Sequence, residues 1–134
     1  MTVTDPTTTP ATDHVAGPVY ELRDVWRTFG QGATEIAAVR EVDLTIAEGE
    51  LVALVGASGS GKPTLLQLLG ALDRPTRGAI RFEGRDLAGL RDSELGRIRL
   101  EAIGFVFQQF NLIPTLTAAQ NVEVALAPSQ LGAE

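Results

Sequence analysis

Leu51-Val52-Ala53-Leu54-Val55-Gly56-Ala57-Ser58-Gly59-Ser60-Gly61-Lys62-Pro63-Thr64-Leu65-Leu66 is the stretch on which the fold turns. Its first five residues are all apolar, which suits a strand buried on both faces in a parallel sheet rather than one with a solvated side. A glycine-rich turn follows. Leu65, Leu66, Leu68, Leu69 and Leu72 then recur at the spacing of one helical face. Strand, glycine turn and amphipathic helix together make an α/β unit. The turn also has the G-x-x-x-x-G-K spacing of a phosphate cradle. Phosphate oxygens bond best to several converging N–H groups, which a tight loop supplies only where side chains stand clear. Gly56, Gly59 and Gly61 allow that approach, with Ala57, Ser58 and Ser60 as the other small members of the loop. The helix N-terminus adds unpaired donors and a partial positive charge, and Lys62 reaches the β/γ-phosphate oxygens as a point charge. The competing reading is a Gly/Ser turn that holds nothing. At ordinary residue frequencies, three fixed glycines and a lysine arise at about 2 × 10⁻⁵ per position, so the turn is read as a nucleotide site.

Pro63 breaks the pattern. The loop normally carries Ser or Thr at this position, with a hydroxyl that ligates Mg²⁺. Proline has no hydroxyl and no N–H to offer a phosphate, yet it is welcome in the first turn of a helix. The expected damage is to the ligand site and not to the fold. Thr64 does not take over, because adjacent helical residues point about 100° apart.

Outward from this unit, Met1 to Pro18 is rich in Thr, Pro and Asp and has little to bury, so residues 1–18 are expected to form a disordered tail. A folded region is expected over 19–134. Tyr20 to Trp26 mixes β-favouring and charged residues as a half-buried strand does, closed by Phe29 and a loop from Gly30. Val42, Leu44 and Ile46 alternate with polar neighbours, predicting a second strand, and Glu48-Gly49-Glu50 predicts a turn. Gly70 and the Asp73-to-Gly78 cluster end the helix. Ile80 and Phe82 mark a short strand turned by Gly84, Ser93 to Leu100 a polar helix, and Ile103 to Phe107 another apolar strand. Thr117-Ala118-Ala119-Gln120 has a capping-box pattern and predicts a helix running through Val122 and Leu126.

Composition removes several function classes. The chain of 134 residues has no cysteine, so disulfide, thiolate and Cys-zinc chemistry are absent from it, and its one histidine, His14, lies in the tail. A formal net charge of −6 argues against nucleic acid as a partner, since backbone-phosphate binding needs clustered Lys and Arg. It does not argue against one nucleotide held by amides. No apolar run reaches the roughly 18 residues of a membrane span, and the N-terminus has no basic, apolar secretory pattern.

Gly56 to Lys62 with Thr64-Leu65-Leu66 resembles the Walker A motif of ABC transporter ATPases. Glu48-Gly49-Glu50 is typical of the same family, and Leu72-Asp73-Arg74-Pro75-Thr76-Arg77-Gly78 resembles the turn after its first helix. Gly104-Phe105-Val106-Phe107-Gln108, Asn111 to Pro114, and Leu116-Thr117-Ala118 to Asn121-Val122 resemble its Q-loop region. The longer loop between Phe29 and Val39 resembles the lipoprotein-releasing and macrolide-export group.

The resemblance implies a P-loop NTPase fold: an N-terminal antiparallel β subdomain plus the P-loop strand and helix, without the later half of the parallel core sheet. It implies ATP and Mg²⁺ as ligands, and Phe29 in the place of the aromatic that stacks on adenine, although Phe29 also reads as a plain core residue. Gln108 would help hold Mg²⁺, orient the attacking water and relay nucleotide state. The segment after Gln108 would meet a coupling helix of an integral-membrane permease subunit. A second ATP-binding subunit and a cytoplasmic place on the inner face of the membrane are further implications. The family's Leu-Ser-Gly-Gly-Gln signature, Walker B Asp-Glu and switch histidine do not occur in these 134 residues. The expectation is therefore a stretch without hydrolytic competence of its own, exposing unpaired strand edges. A non-catalytic module that docks on a permease or a full-length subunit is the alternative. A small P-loop kinase or GTPase lacks its required motifs here.

Overall fold

The computed structural model describes residues 17–109 and 111–130, so the expected tail lies, apart from Gly17 and Pro18, outside the described residues. Its framework is a four-stranded antiparallel sheet in the order β2-β1-β3-β4. The elements are β1 (Tyr20–Phe29), β2 (Ile36–Ile46), α1 (Lys62–Leu69), β3 (Arg77–Phe82), β4 (Arg85–Asp86), α2 (Asp92–Glu101) and α3 (Ala118–Gln130).

β1 is the central member because both its edges find antiparallel partners: Leu22 stands opposite Leu44 of β2 and Ile80 of β3. Strict alternation from Leu22 would send Asp24 into the core. A bulge resets it. Asp24 takes φ 46 and the register with both neighbours shifts there, so that Val25 faces inward instead. Asp tolerates this left-handed conformation better than most residues. The Asp24 carboxylate accepts the Trp26 indole N–H at 2.8 Å and pairs with Arg77 at 2.7 Å, which fixes the bulge on the outer face.

The core fills the space between the inner face of the sheet and the helices. Leu22, Val25, Val39, Ile80 and Phe82 from the strands meet Leu68 and Ala71 at the end of α1 and Leu95 and Ile98 of α2. The Tyr20 hydroxyl donates to the Leu69 carbonyl at 2.7 Å, bolting the start of the sheet to the last turn of α1. Burial, with the Glu83 carboxylate nearby, pushes this phenol up to about 12. Arg99 donates to the Ala71 carbonyl at 2.6 Å and ties α2 to the same end of α1. The capping box of α3 forms as its sequence predicts: Gln120 N–H donates to Thr117 Oγ1 at 3.3 Å, and Thr117 N–H to Gln120 Oε1 at 2.9 Å.

Two expected strands are not formed. Leu51–Val55 and Ile103–Phe107 carry no ladder among the described residues, and Leu51 is 97%, Val55 91% and Val106 102% exposed. The cause is pairing rather than composition. A strand buried on both faces needs parallel neighbours, and each such neighbour needs a crossover connection. The antiparallel sheet is complete without these segments, which leaves them as exposed apolar chain. β2 also begins earlier than the alternation of Val42, Leu44 and Ile46 indicates. Residues Ile36 to Val39 continue it because Phe29, Thr28 and Arg27 offer them partners.

Candidate nucleotide-binding site

The glycine loop forms a turn that feeds straight into α1. Gly61 is the N-cap of the helix with φ 81. A Cβ there would overlap the Ala38 carbonyl oxygen, so only glycine brings the helix start this close to β2. The loop and the strand thus wall a common cleft of about 440 Å³. On one side stand Ala37 to Arg40 and Val42 of β2, and on the other Leu54, Val55, Gly56 and Gly59 to Lys62, with Leu65 at the base. The size lies within the range of small-ligand sites.

Lys62 turns its ammonium into the loop, where Nζ donates to the carbonyls of Gly56 and Ala57, both at 2.7 Å, and to Ser60 Oγ at 3.2 Å. The positive charge is therefore in place within the cradle. First-turn amides of a helix have no intrahelical acceptor, and those of Lys62 and Thr64 flank Pro63, which has none to give. As expected, proline near the start leaves α1 intact. Pro63 itself is exposed and Thr64 half-buried.

Of the residues singled out from the sequence, Gly56, Gly59, Ser60, Gly61 and Lys62 come together on the cleft, while Ala57 and Ser58 form the exposed outer bend of the loop. Phe29 and Gln108 do not line it. Phe29 stands just past its rim, since Thr28 pairs with Ala37 and Phe29 with Ile36. Gln108 is exposed at a bend following the unladdered Ile103–Phe107 segment. That segment is anchored at Ile103, which packs half-buried against the core, and at Phe105, whose ring lies against Gly70 with Phe107 stacked beyond it at 5.7 Å. The loop after Gln108 is closed by Asn121, whose Oδ1 accepts the Ile113 N–H at 2.8 Å while Nδ2 donates to the Thr117 carbonyl at 3.0 Å. Sequence reasoning missed the β2 wall. Its only signal is the small pair Ala37-Ala38, which does not announce that a glycine loop will press against it.

The arrangement can hold a phosphate chain between amides and one fixed cation. It offers no hydroxyl at residue 63 to a hydrated Mg²⁺, so that part of the metal site does not fit. The ABC transporter family model matches residues 39–133, a span that takes in the glycine loop, Lys62 and Gln108. The chain belongs to the ABC transporter family, in its ATP-binding domain. It is 52% identical over 107 residues to the macrolide export ATP-binding/permease protein MacB of Bordetella avium, covering 80% of this chain and 16% of that protein. It is 48% identical over 106 residues to the lipoprotein-releasing system ATP-binding protein LolD of Geobacter metallireducens, covering 79% of this chain and 47% of that protein. A solved dimeric ATP-binding cassette, in a post-hydrolysis state with ADP and inorganic phosphate, superposes with a TM-score of 0.74 at 48% identity. It covers 81% of this chain, which in turn covers 47% of the cassette. The chain therefore spans about half the length of the ATP-binding protein and cassette, and far less of the ATP-binding/permease protein. It forms the antiparallel sheet and helices of the front part of such a cassette.

Proposed function

We propose that this ABC ATP-binding chain takes ATP, with the triphosphate in the loop from Gly56 to Lys62, and serves a transporter that couples nucleotide binding to movement of substrate across a membrane. The observation that carries the reading is the seating of Gly61 on β2 with the Lys62 ammonium inside the loop, which makes a cup of amides beside a fixed charge. In this reading Phe29 presents its ring to adenine, and Gln108 orients water and contributes to holding Mg²⁺. Thr64 adds an amide to the cup. Mg²⁺ screens the phosphate charge when bound, and its hold is weakened here because Pro63 replaces the hydroxyl ligand.

The partners are an integral-membrane permease and a second ATP-binding subunit. Support comes from the macrolide export relative, whose name joins ATP-binding and permease functions, and from the dimeric state of the solved cassette. Such a subunit lies in the cytoplasm on the inner face of the membrane. No helix among the described residues is long and apolar enough to cross a membrane, so the contact runs through the permease. Walker B, signature and switch-histidine groups have no counterpart in these 134 residues, so this stretch alone binds ATP without turning it over. A second reading is a non-catalytic module docking on the permease or on a full-length subunit, for which exposed Phe107, Leu112 and Ile113, flanking Gln108 in the sequence, offer apolar surface.

Calorimetric titration of ATP with and without Mg²⁺ tests the site. The chain as it stands is expected to respond weakly to Mg²⁺. Pro63→Ser restores a donor and a ligand worth about 1.5–3 kcal/mol, so it tightens ATP binding at least tenfold, and only when Mg²⁺ is present for the metal share. Superimposable curves for the two proteins end the proposal of a weakened metal site. An absence of ATP binding in both ends the nucleotide reading itself.

A further inference from the structure

Arg27 and Phe29 are two residues apart on β1 and so share a face of the strand. The Arg27 guanidinium lies over the Phe29 ring, 4.5 Å from its centroid. It is held there from outside the strand. Its Nε donates to Asp73 Oδ2 at 2.6 Å, and the other carboxylate oxygen accepts the Arg74 N–H at 2.8 Å. Arg74 is pinned in turn, donating to the Leu90 carbonyl and to Asp92, both at 2.8 Å. The end of β1 is fixed to the same turn, since Thr28 N–H donates to Thr76 Oγ1 at 3.0 Å.

From this arrangement we infer that Arg27 is a positioning residue for the nucleobase, an inference that rests on the reading of Phe29 as the base-stacking ring. A planar cation covers one face of the ring, and Phe29 as a residue remains 45% exposed. The register of β1 with β2 puts that exposed ring at the rim of the phosphate cleft. The guanidinium does two things there. It stops the ring from rotating away, so stacking a base costs less ordering. It also draws π density toward itself, which makes the free face a better partner for an electron-rich purine. The Asp73 anchor sustains both effects, because it holds the guanidinium in place over the ring.

The test compares ATP with inorganic tripolyphosphate, which has the phosphates and no base, on the full chain. Arg27→Gln removes the charge and the planar guanidinium and leaves a shorter polar side chain. It is expected to weaken ATP roughly threefold while leaving tripolyphosphate unchanged, and Arg27→Lys, which keeps the charge, is expected to lose less. In Phe29→Ala, adding Arg27→Gln causes no further loss. An unchanged ATP-to-tripolyphosphate ratio in Arg27→Gln overturns the inference, as does tighter ATP binding, which would put the guanidinium on the base's own face. If Arg27→Gln loses its cooperative melt, Asp73→Asn replaces it: this variant keeps the cation, releases its anchor, and must lower the ratio for the inference to stand. Phe29→Ala separates the two levels. A ratio that falls in Phe29→Ala but holds in Arg27→Gln defeats the role of Arg27 alone, whereas a ratio unmoved by Phe29→Ala defeats the base-stacking reading and the inference with it.

Discussion

The Leu22-to-Val25 stretch of β1, with two charged residues between its apolar ends, and the wholly apolar Leu51-to-Val55 have opposite fates. The first is locked into a ladder on both edges, and Val25 is 0% exposed. The second is the more hydrophobic of the two, yet it lies open without a strand partner among the described residues. Hydrophobicity says which side chains seek burial, but it does not supply the neighbouring backbone that a strand needs for its N–H and C=O groups. Antiparallel hairpins and meanders find that neighbour within a few tens of residues. A parallel strand depends on chain that has to travel out and back.

The contrast can be broken most decisively at the core. Leu22→Ala or Ile80→Ala removes a fully buried side chain and is expected to cost about 2–5 kcal/mol in urea unfolding, whereas Leu51→Ala changes stability by less than about 0.5 kcal/mol. A comparable loss in Leu51→Ala would show that the open segment is packed after all. Amide exchange gives the same contrast at residue level: β1 amides near Leu22 are protected, and those of Val52 to Val55 exchange at the rate of open chain. Gly70→Ala is a middle-sized probe. The added methyl would overlap the Phe105 ring, so a loss of about 1–3 kcal/mol is expected if that ring is seated, and no loss if the whole Ile103–Phe107 segment is as free as Leu51–Val55.

The smallest effect is at the seam between sheet and helix. Tyr20→Phe gives up one hydrogen bond to Leu69, worth about 1 kcal/mol. The pH dependence has a definite sign. Burial favours the neutral phenol, so its contribution is whole below about 10, the unfolded value, and disappears as pH rises through about 12. Melts across that window should show the parent losing stability more steeply than Tyr20→Phe, and parallel slopes would remove Tyr20 from the seam.

What was legible in the sequence is what local rules govern. The turn at Glu48-Gly49, the return at Gly84 and the Thr117–Gln120 cap each depend on residues a few positions apart, and each formed as read; α1 formed too, but Leu72 lies past its end and Leu66 faces outward. The glycine loop was legible for the same reason. The bulge at Asp24, the Ala38 carbonyl under Gly61 and the Arg27–Asp73 pair were not, because each joins residues whose meeting depends on the whole sheet. The unladdered segments were legible as apolar stretches and, through the resemblance, as short of sheet partners; that Leu51–Val55 and Ile103–Phe107 would then form no ladder at all was not.

The inward turn of Lys62 bears on how any experiment at this position is read. Its ammonium already gathers three oxygens of its own loop, so a ligand arriving there trades places with carbonyls and does not meet a solvated cation. Replacing Lys62 by Ala deletes the loop's internal brace together with its contact to the ligand, and the affinity lost will overstate what the charge alone contributes.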